Sequence, residues 1–170
     1  PLVKKEIYQL SELHKEKNKF TLLVVGGSQG ANFFDGNLKN IIINIGKKNP
    51  ISVLQQTNKK NISYLHEFYK SNDIENKIFD FDKDFSSLLK KTDLCITRSG
   101  ASTLAELSVL NIPFIAVPLP KSKDNHQLEN ANFYKNNDCC WLIEQNQFEK
   151  KIEELLEEIL IKKTDFFKKK

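Results

Sequence analysis

Three short stretches of this 170-residue chain have the residue types and spacing to hold an oxygen-rich ligand. The first is Gly26-Gly27-Ser28-Gln29-Gly30-Ala31. Glycines admit positive φ and let a ligand approach the main chain closely. A helix opening here offers unpaired N–H groups and a partial positive charge, both suited to phosphate. A plain tight turn is the simpler account of the same residues. The dinucleotide fingerprint fits poorly, because Ser28 and Ala31 stand where its second and third glycines belong. The stretch also fits the G-x-S-x-G elbow of serine hydrolases, and Asp93 and His126 follow Ser28 in the hydrolase order. That elbow usually comes after several strands, whereas this one follows the first.

The second stretch runs from Thr97 through Arg98-Ser99-Gly100-Ala101-Ser102-Thr103 to Glu106. Gly100, Ala101, Ser102 and Thr103 set small side chains and N–H groups around a helix start, where a diphosphate can dock. Glu106, one turn in, can accept from two vicinal ribose hydroxyls. The structural alternative makes Ser102 or Thr103 a helix cap and Glu106 a favourable charge near the N-terminus. Arg98 is the only arginine in a lysine-rich chain, which points to a need for guanidinium geometry at that place. In the third stretch, Pro118 and Pro120 stiffen a polar loop that leads to His126, Gln127 and Asn130. Amides and imidazoles suit sugar hydroxyls, although a lone His126 also reads as a surface or capping residue.

Other chemistries find little support. No Asp, Glu, His and Cys cluster has metal-ligand spacing, and Asp80-Phe81-Asp82 comes nearest to a carboxylate pair after a strand. A net charge of +4 comes from scattered lysines and Lys168 to Lys170; with no arginine-rich helix or aromatic platform, nucleic acid is not expected as a partner. Cys95, Cys139 and Cys140 fit neither a disulfide framework nor a zinc site and read as buried free thiols. No apolar run is long enough for a bilayer, and the opening residues lack the apolar region of a secretory signal. With no initiator Met, the chain reads as part of a longer polypeptide.

Positioning these stretches falls to an alternation of strands and helices. Apolar runs predict strands at 20–25, 51–55, 77–81, 93–97, 114–117 and 139–143. Helical spacing predicts helices at 32–45, 62–69, 84–90, 101–110, 125–136 and 148–161. This order implies an α/β domain, a Rossmann-like doubly wound parallel sheet of about six strands. In such sheets ligands bind beyond the carboxyl ends of the strands, where all three stretches fall. Residues 20–162 form the expected domain, with a lead-in at 1–19 and a basic tail at 163–170.

Taken in order, GGSQGA, RSGASTLAEL and PLPKSKDNHQLENA resemble the C-terminal domain of the MurG family, inverting glycosyltransferases of two-domain GT-B architecture. The joint pattern spans about two thirds of the chain. The opening Pro1-Leu-Val-Lys also resembles the family's interdomain segment, with Val3 or Lys4 where the family carries arginine. The resemblance implies a donor site for UDP-N-acetylglucosamine. Gly27, Ser28 and Gly30, with Gly100, Ala101, Ser102 and Thr103, would face the diphosphate. Phe81 and Asp82 would lie at the uracil, through main-chain groups, and Glu106 would hold the ribose. His126, Gln127 and Asn130 would meet the GlcNAc, and Arg98 would brace the site. It implies transfer of GlcNAc to the muramoyl sugar of lipid I, without metal or cofactor, at the inner face of the plasma membrane. The acceptor site and general base would belong to an N-terminal domain outside these residues. Two other readings share the pocket: a separately encoded donor-binding subunit of a two-chain GlcNAc transferase, and a non-catalytic nucleotide-sugar-binding module.

Overall fold

The structure, a computed structural model, describes residues 19–120 and 125–168, apart from the side chains of residues 28, 29 and 163–168. Six strands, β1 (Phe20–Val25), β2 (Ile51–Gln56), β3 (Glu75–Phe79), β4 (Leu94–Thr97), β5 (Phe114–Ala116) and β6 (Cys140–Leu142), form one parallel sheet. Their spatial order is β3-β2-β1-β4-β5-β6. The chain builds outward from β1 to β3, then returns to lay β4 against the other side of β1. The expected doubly wound sheet is therefore present, and its direction reverses between β1 and β4, the place where such sheets open a crevice for ligands.

Helices α1 (Gly27–Gly46), α2 (Ile62–Lys70), α3 (Phe85–Lys91), α4 (Ala101–Val109), α5 (His126–Asn136) and α6 (Phe148–Lys168) cover both faces. Alternate strand residues point to opposite faces, which divides the core in two. Leu22 and Val24 pack with Phe34, Leu38 and Ile42 of α1, Leu65 and Tyr69 of α2, and Phe148, Ile152 and Leu156 of α6. Leu23 faces the other way, with Leu88 and Leu89 of α3, Leu104 and Leu107 of α4, Phe114 and Ala131. The four-residue spacing of the buried positions in α1 and α6 is the apolar stripe that makes each a helix against the sheet. Asp84 caps α3, its carboxylate accepting from Ser87 N at 3.2 Å.

Several boundaries differ from expectation. Helix α1 opens at Gly27 rather than at residue 32, so the glycine stretch is its first turn and not a separate loop. Strand β3 ends at Phe79, two residues early, because its last partner on β2 is Gln56; Phe81 and Asp82 lie beyond it. Helix α6 continues through Lys168, so the backbone of the expected basic tail begins inside a helix. Only Cys95 is buried; Cys140 is half-buried and Cys139 is exposed, because the chain leaves α5 through Asp138 in a left-handed conformation before β6 begins. Most of the lead-in, with Val3 and Lys4, lies outside the described residues, as does the side chain of Ser28.

Candidate nucleotide-sugar site

Val25 and Thr97 face each other at the ends of β1 and β4, and Arg98 N donates to Val25 O at 3.2 Å. The two turns that follow therefore lie side by side. They enclose a cleft of about 230 Å³ lined by Gly27, Gly30, Gly100, Thr103, Leu119 and Gln127, among others. Residues from all three candidate stretches meet in it. A larger groove, about 740 Å³, runs along β6 and α6 past Trp141 and Lys151. It lies at the outer edge of the sheet, has no glycine turn, and sets Asp138, Glu154 and Glu158 beside Lys135 and Lys151, a lining less suited to a diphosphate.

The turn after β1 is closed by contacts that forbid side chains. A Cβ at Gly26 would come within 2.4 Å of the Ala31 main-chain nitrogen, and Gly27 has φ +63°. Gly27 N donates to Oε1 of Gln56 at 3.0 Å. Across the cleft, Gly100 is the N-cap of α4 in an extended conformation, and no side chain caps that helix. The capping alternative for Ser102 and Thr103 is thereby excluded, since both lie inside the first turn. Ala101 and Ser102 are exposed, and a Cβ at Gly100 would meet nothing within 4 Å. That open space faces an anion-favouring helix terminus.

Arg98 is buried, and its partners explain why arginine stands here. Nη1 donates to the carbonyls of Val117 (3.2 Å) and Pro118 (3.3 Å), and Nη2 to Oε1 of Gln145 (2.7 Å). The guanidinium also lies over the rings of Phe33 and Phe34, 4.8 and 5.0 Å from their centroids. Burial pulls its pKa down to about 10, which leaves it charged at neutral pH. One planar fork thus ties α1, the β4 turn, the β5 turn and the segment before α6 together. Gln127 makes a second tie: its Oε1 accepts from Ser99 N (3.2 Å) and Leu119 N (3.0 Å). Asn130 adds a third through Ser99 O at 3.1 Å. The amide oxygen of Gln127 is therefore engaged by the protein, while its side chain still lines the cleft.

Phe81, Asp82, Glu106 and His126 are not among the residues that line the cleft. Phe81 is 78% exposed, just past the end of β3. Asp82 bonds Lys77 Nζ at 2.5 Å and accepts from Asp84 N at 2.9 Å, so its carboxylate shapes its own turn. Glu106 sits in the second turn of α4, half-buried, and His126 is exposed at the first residue of α5. The hydrolase reading fails on topology. Asp93 accepts from Thr21 N at 2.8 Å, at the amino end of the sheet. The Gly27 turn is at the carboxyl end, roughly 20 Å away at the rise of a strand. Among the described residues, no group of three or more His, Cys, Asp and Glu could hold a metal ion, and no helix is long and apolar enough to cross a membrane.

Sequence reasoning passed over Gln56, whose amide reaches both Gly27 N and Asp80 O (3.1 Å). It also passed over a network centred on Asp35, which accepts from Gln55, Thr57 and Asn61 and pins the middle of α1 to the end of β2 and the residues after it. Polar residues at a strand's carboxyl end were the available signal.

The sequence model of the glycosyltransferase family 28 C-terminal domain matches residues 21–170. The chain belongs to glycosyltransferase family 28. Curated relatives named UDP-N-acetylglucosamine–N-acetylmuramyl-(pentapeptide) pyrophosphoryl-undecaprenol N-acetylglucosamine transferase agree with the resemblance to the MurG family. The relative from Pelagibacter ubique is 43% identical over 150 residues, 88% of this chain and 42% of its own length. That from Wolbachia pipientis subsp. Culex pipiens is 38% identical, covering 82% and 42%. The crystal structure of MurG from Acinetobacter baumannii superposes with a TM-score of 0.74 at 23% identity, covering 91% of this chain and 44% of that one. The C-terminal CMP-Kdo binding domain of WaaA from the same organism shares the fold, at a TM-score of 0.56 and 10% identity. The family 28 chain thus spans less than half the length of the curated relatives it matches.

Proposed function

We propose that this chain is the donor-binding half of an inverting N-acetylglucosaminyltransferase that holds UDP-N-acetylglucosamine and serves the conversion of lipid I to lipid II. One observation carries the reading: Gly27 and Gly100, at helix starts after adjacent strands, line the same cleft. Two helix N-termini converging on one space suit a diphosphate, whose charge grows as UDP leaves. Glu106, one turn into α4, is the group for the ribose. The exposed Phe81 segment lies on the side for the base, and the His126–Gln127 helix start on the side for the sugar. The relatives' names supply the substrate and the reaction class.

In this reading oriented N–H groups and helix dipoles stabilise the leaving diphosphate, and no metal or cofactor takes part. The base that deprotonates the acceptor and the site for lipid I belong to the portion of the relatives that this chain does not span. The complete enzyme works at the inner face of the plasma membrane, and this chain alone binds donor without appreciable transfer. Titration calorimetry with UDP-GlcNAc, UDP-glucose and NADH, with and without EDTA, tests this. Binding of UDP-GlcNAc ahead of UDP-glucose, no heat from NADH and indifference to EDTA are expected. Preference for NADH, or loss of binding with EDTA, would falsify the reading.

A further inference from the structure

Gln56 is the last residue of β2, the strand between β1 and β3. Its neighbour Gln55 is fully buried on the α1 side, bonded to Asp35 and to the Tyr69 hydroxyl. Alternation along the strand sends Gln56 the other way. From that central position its amide uses both ends. Oε1 accepts from Gly27 N, in the turn after β1, and Nε2 donates to Asp80 O, in the segment after β3. Thr57 N, donating to Phe79 O at 2.8 Å, holds the same segment from the backbone. Neighbouring strands are roughly 4.8 Å apart, so the glycine turn and the Asp80–Phe81 segment are separated by about two strand spacings. A nucleoside diphosphate has its base and its phosphates at a comparable separation.

Building on the donor site above, we propose that Gln56 is a positioning residue for nucleotide selectivity, fixing the distance between the diphosphate turn at Gly27 and the base-facing segment at Asp80–Phe81. An amide is suited to the task because it is an acceptor at one end and a donor at the other. Methionine matches its length and has neither function. Glutamate keeps the acceptor for Gly27 N and presents an acceptor, wrongly, to Asp80 O.

The test is the ratio of affinities of the full chain for UDP and ADP, measured by calorimetry for the wild type, Gln56→Met and Gln56→Glu, with folding checked by circular dichroism. A general loosening of the fold weakens both nucleotides alike, as does the added charge of glutamate, so the ratio isolates positioning. The wild type is expected to prefer UDP, and both variants to lose roughly tenfold in UDP affinity with less than about threefold change for ADP, the size of one or two lost hydrogen bonds. An unchanged ratio in a folded variant overturns the role of Gln56 and leaves the donor site standing. A wild-type chain with no preference for UDP overturns the donor reading and this inference with it. If Gln56→Met does not fold, Gln56→Glu decides the matter by the same ratio.

Discussion

A Cβ placed on Gly30 would sit 2.6 Å from Nε and 2.7 Å from Cγ of Arg98. The bare main chain at position 30 is what lets the guanidinium stem pass α1 on its way to Val117, Pro118 and Gln145. Inside a helix alanine is ordinarily better than glycine by about 1 kcal/mol. Overpacking a filled space costs about 1–3 kcal/mol. Gly30→Ala is therefore expected to lower stability by up to about 2 kcal/mol in urea unfolding. In an Arg98→Ala background the obstruction is gone, and the same change is expected to be neutral or stabilising. A stabilising Gly30→Ala in both backgrounds contradicts the packing.

Gln127 lends itself to separating scaffold from ligand contact. Its oxygen serves Ser99 N and Leu119 N, and Gln127→Ala deprives both, at a cost of about 1–3 kcal/mol. Gln127→Glu keeps an acceptor for both N–H groups and replaces the NH₂ with a charged oxygen, whose repulsion UDP and UDP-GlcNAc share. The glutamate variant is expected to melt near the wild-type temperature yet to bind UDP-GlcNAc about tenfold more weakly, relative to UDP. Equal loss for UDP and UDP-GlcNAc would place the amide away from the sugar.

Glu106 and His66 make a controlled pair. His66 lies on α2, its Nδ1 bonded to Asn76 Oδ1 at 2.9 Å, remote from the cleft. UDP-GlcNAc is expected to raise the melting temperature of His66→Ala as it does that of the wild type. Glu106→Ala should show a much smaller rise, since loss of two charge-assisted hydrogen bonds costs about 3–6 kcal/mol of binding. Equal shifts in the two variants count against Glu106 as the ribose ligand.

The Lys77 ammonium, and after it the Asp84 N–H, hold the Asp82 carboxyl below its ordinary pKa of 3.8. A lowered native pKa means that the unfolded chain takes up the proton first. The stabilisation is therefore complete above the ordinary value and is lost as pH falls through the native one. Urea midpoints from about pH 6 to about pH 2 should show a constant deficit for Asp82→Asn that closes at the acid end. A gap that widens on acidification reverses the sign and dismisses the Lys77 contact.

What the sequence made legible was whatever depends on neighbours along the chain. The alternation of FTLLVV, LCIT and FIA with amphipathic helices was enough for the fold, and glycines at strand ends marked the turns. Features decided across strands escaped it. The true start of α1 depends on Gln56, 29 residues beyond Gly27, accepting its N–H. The early end of β3 depends on where β2 runs out of residues to pair. Arg98 stood out as the lone arginine, but its acceptors lie on segments 19 to 47 residues away, which no local pattern announces. Asp93 followed Ser28 in an inviting order, and the parallel register of β1 with β4 sets it at the other end of the sheet, bonded to Thr21 N.

Thr21 and Asp93, joined at the seam between β1 and β4, are 72 positions apart in the chain. Pairing across such a separation is slow to form, because loop-closure entropy must be overcome first. A nascent chain that has assembled only β1, β2 and β3 has one wall of the cleft and nothing opposite it. A ligand that spans the seam recognises the finished fold alone and stabilises it by mass action. On the proposed donor reading, added UDP-GlcNAc is expected to slow proteolysis of the folded chain and to leave the unfolded chain unprotected.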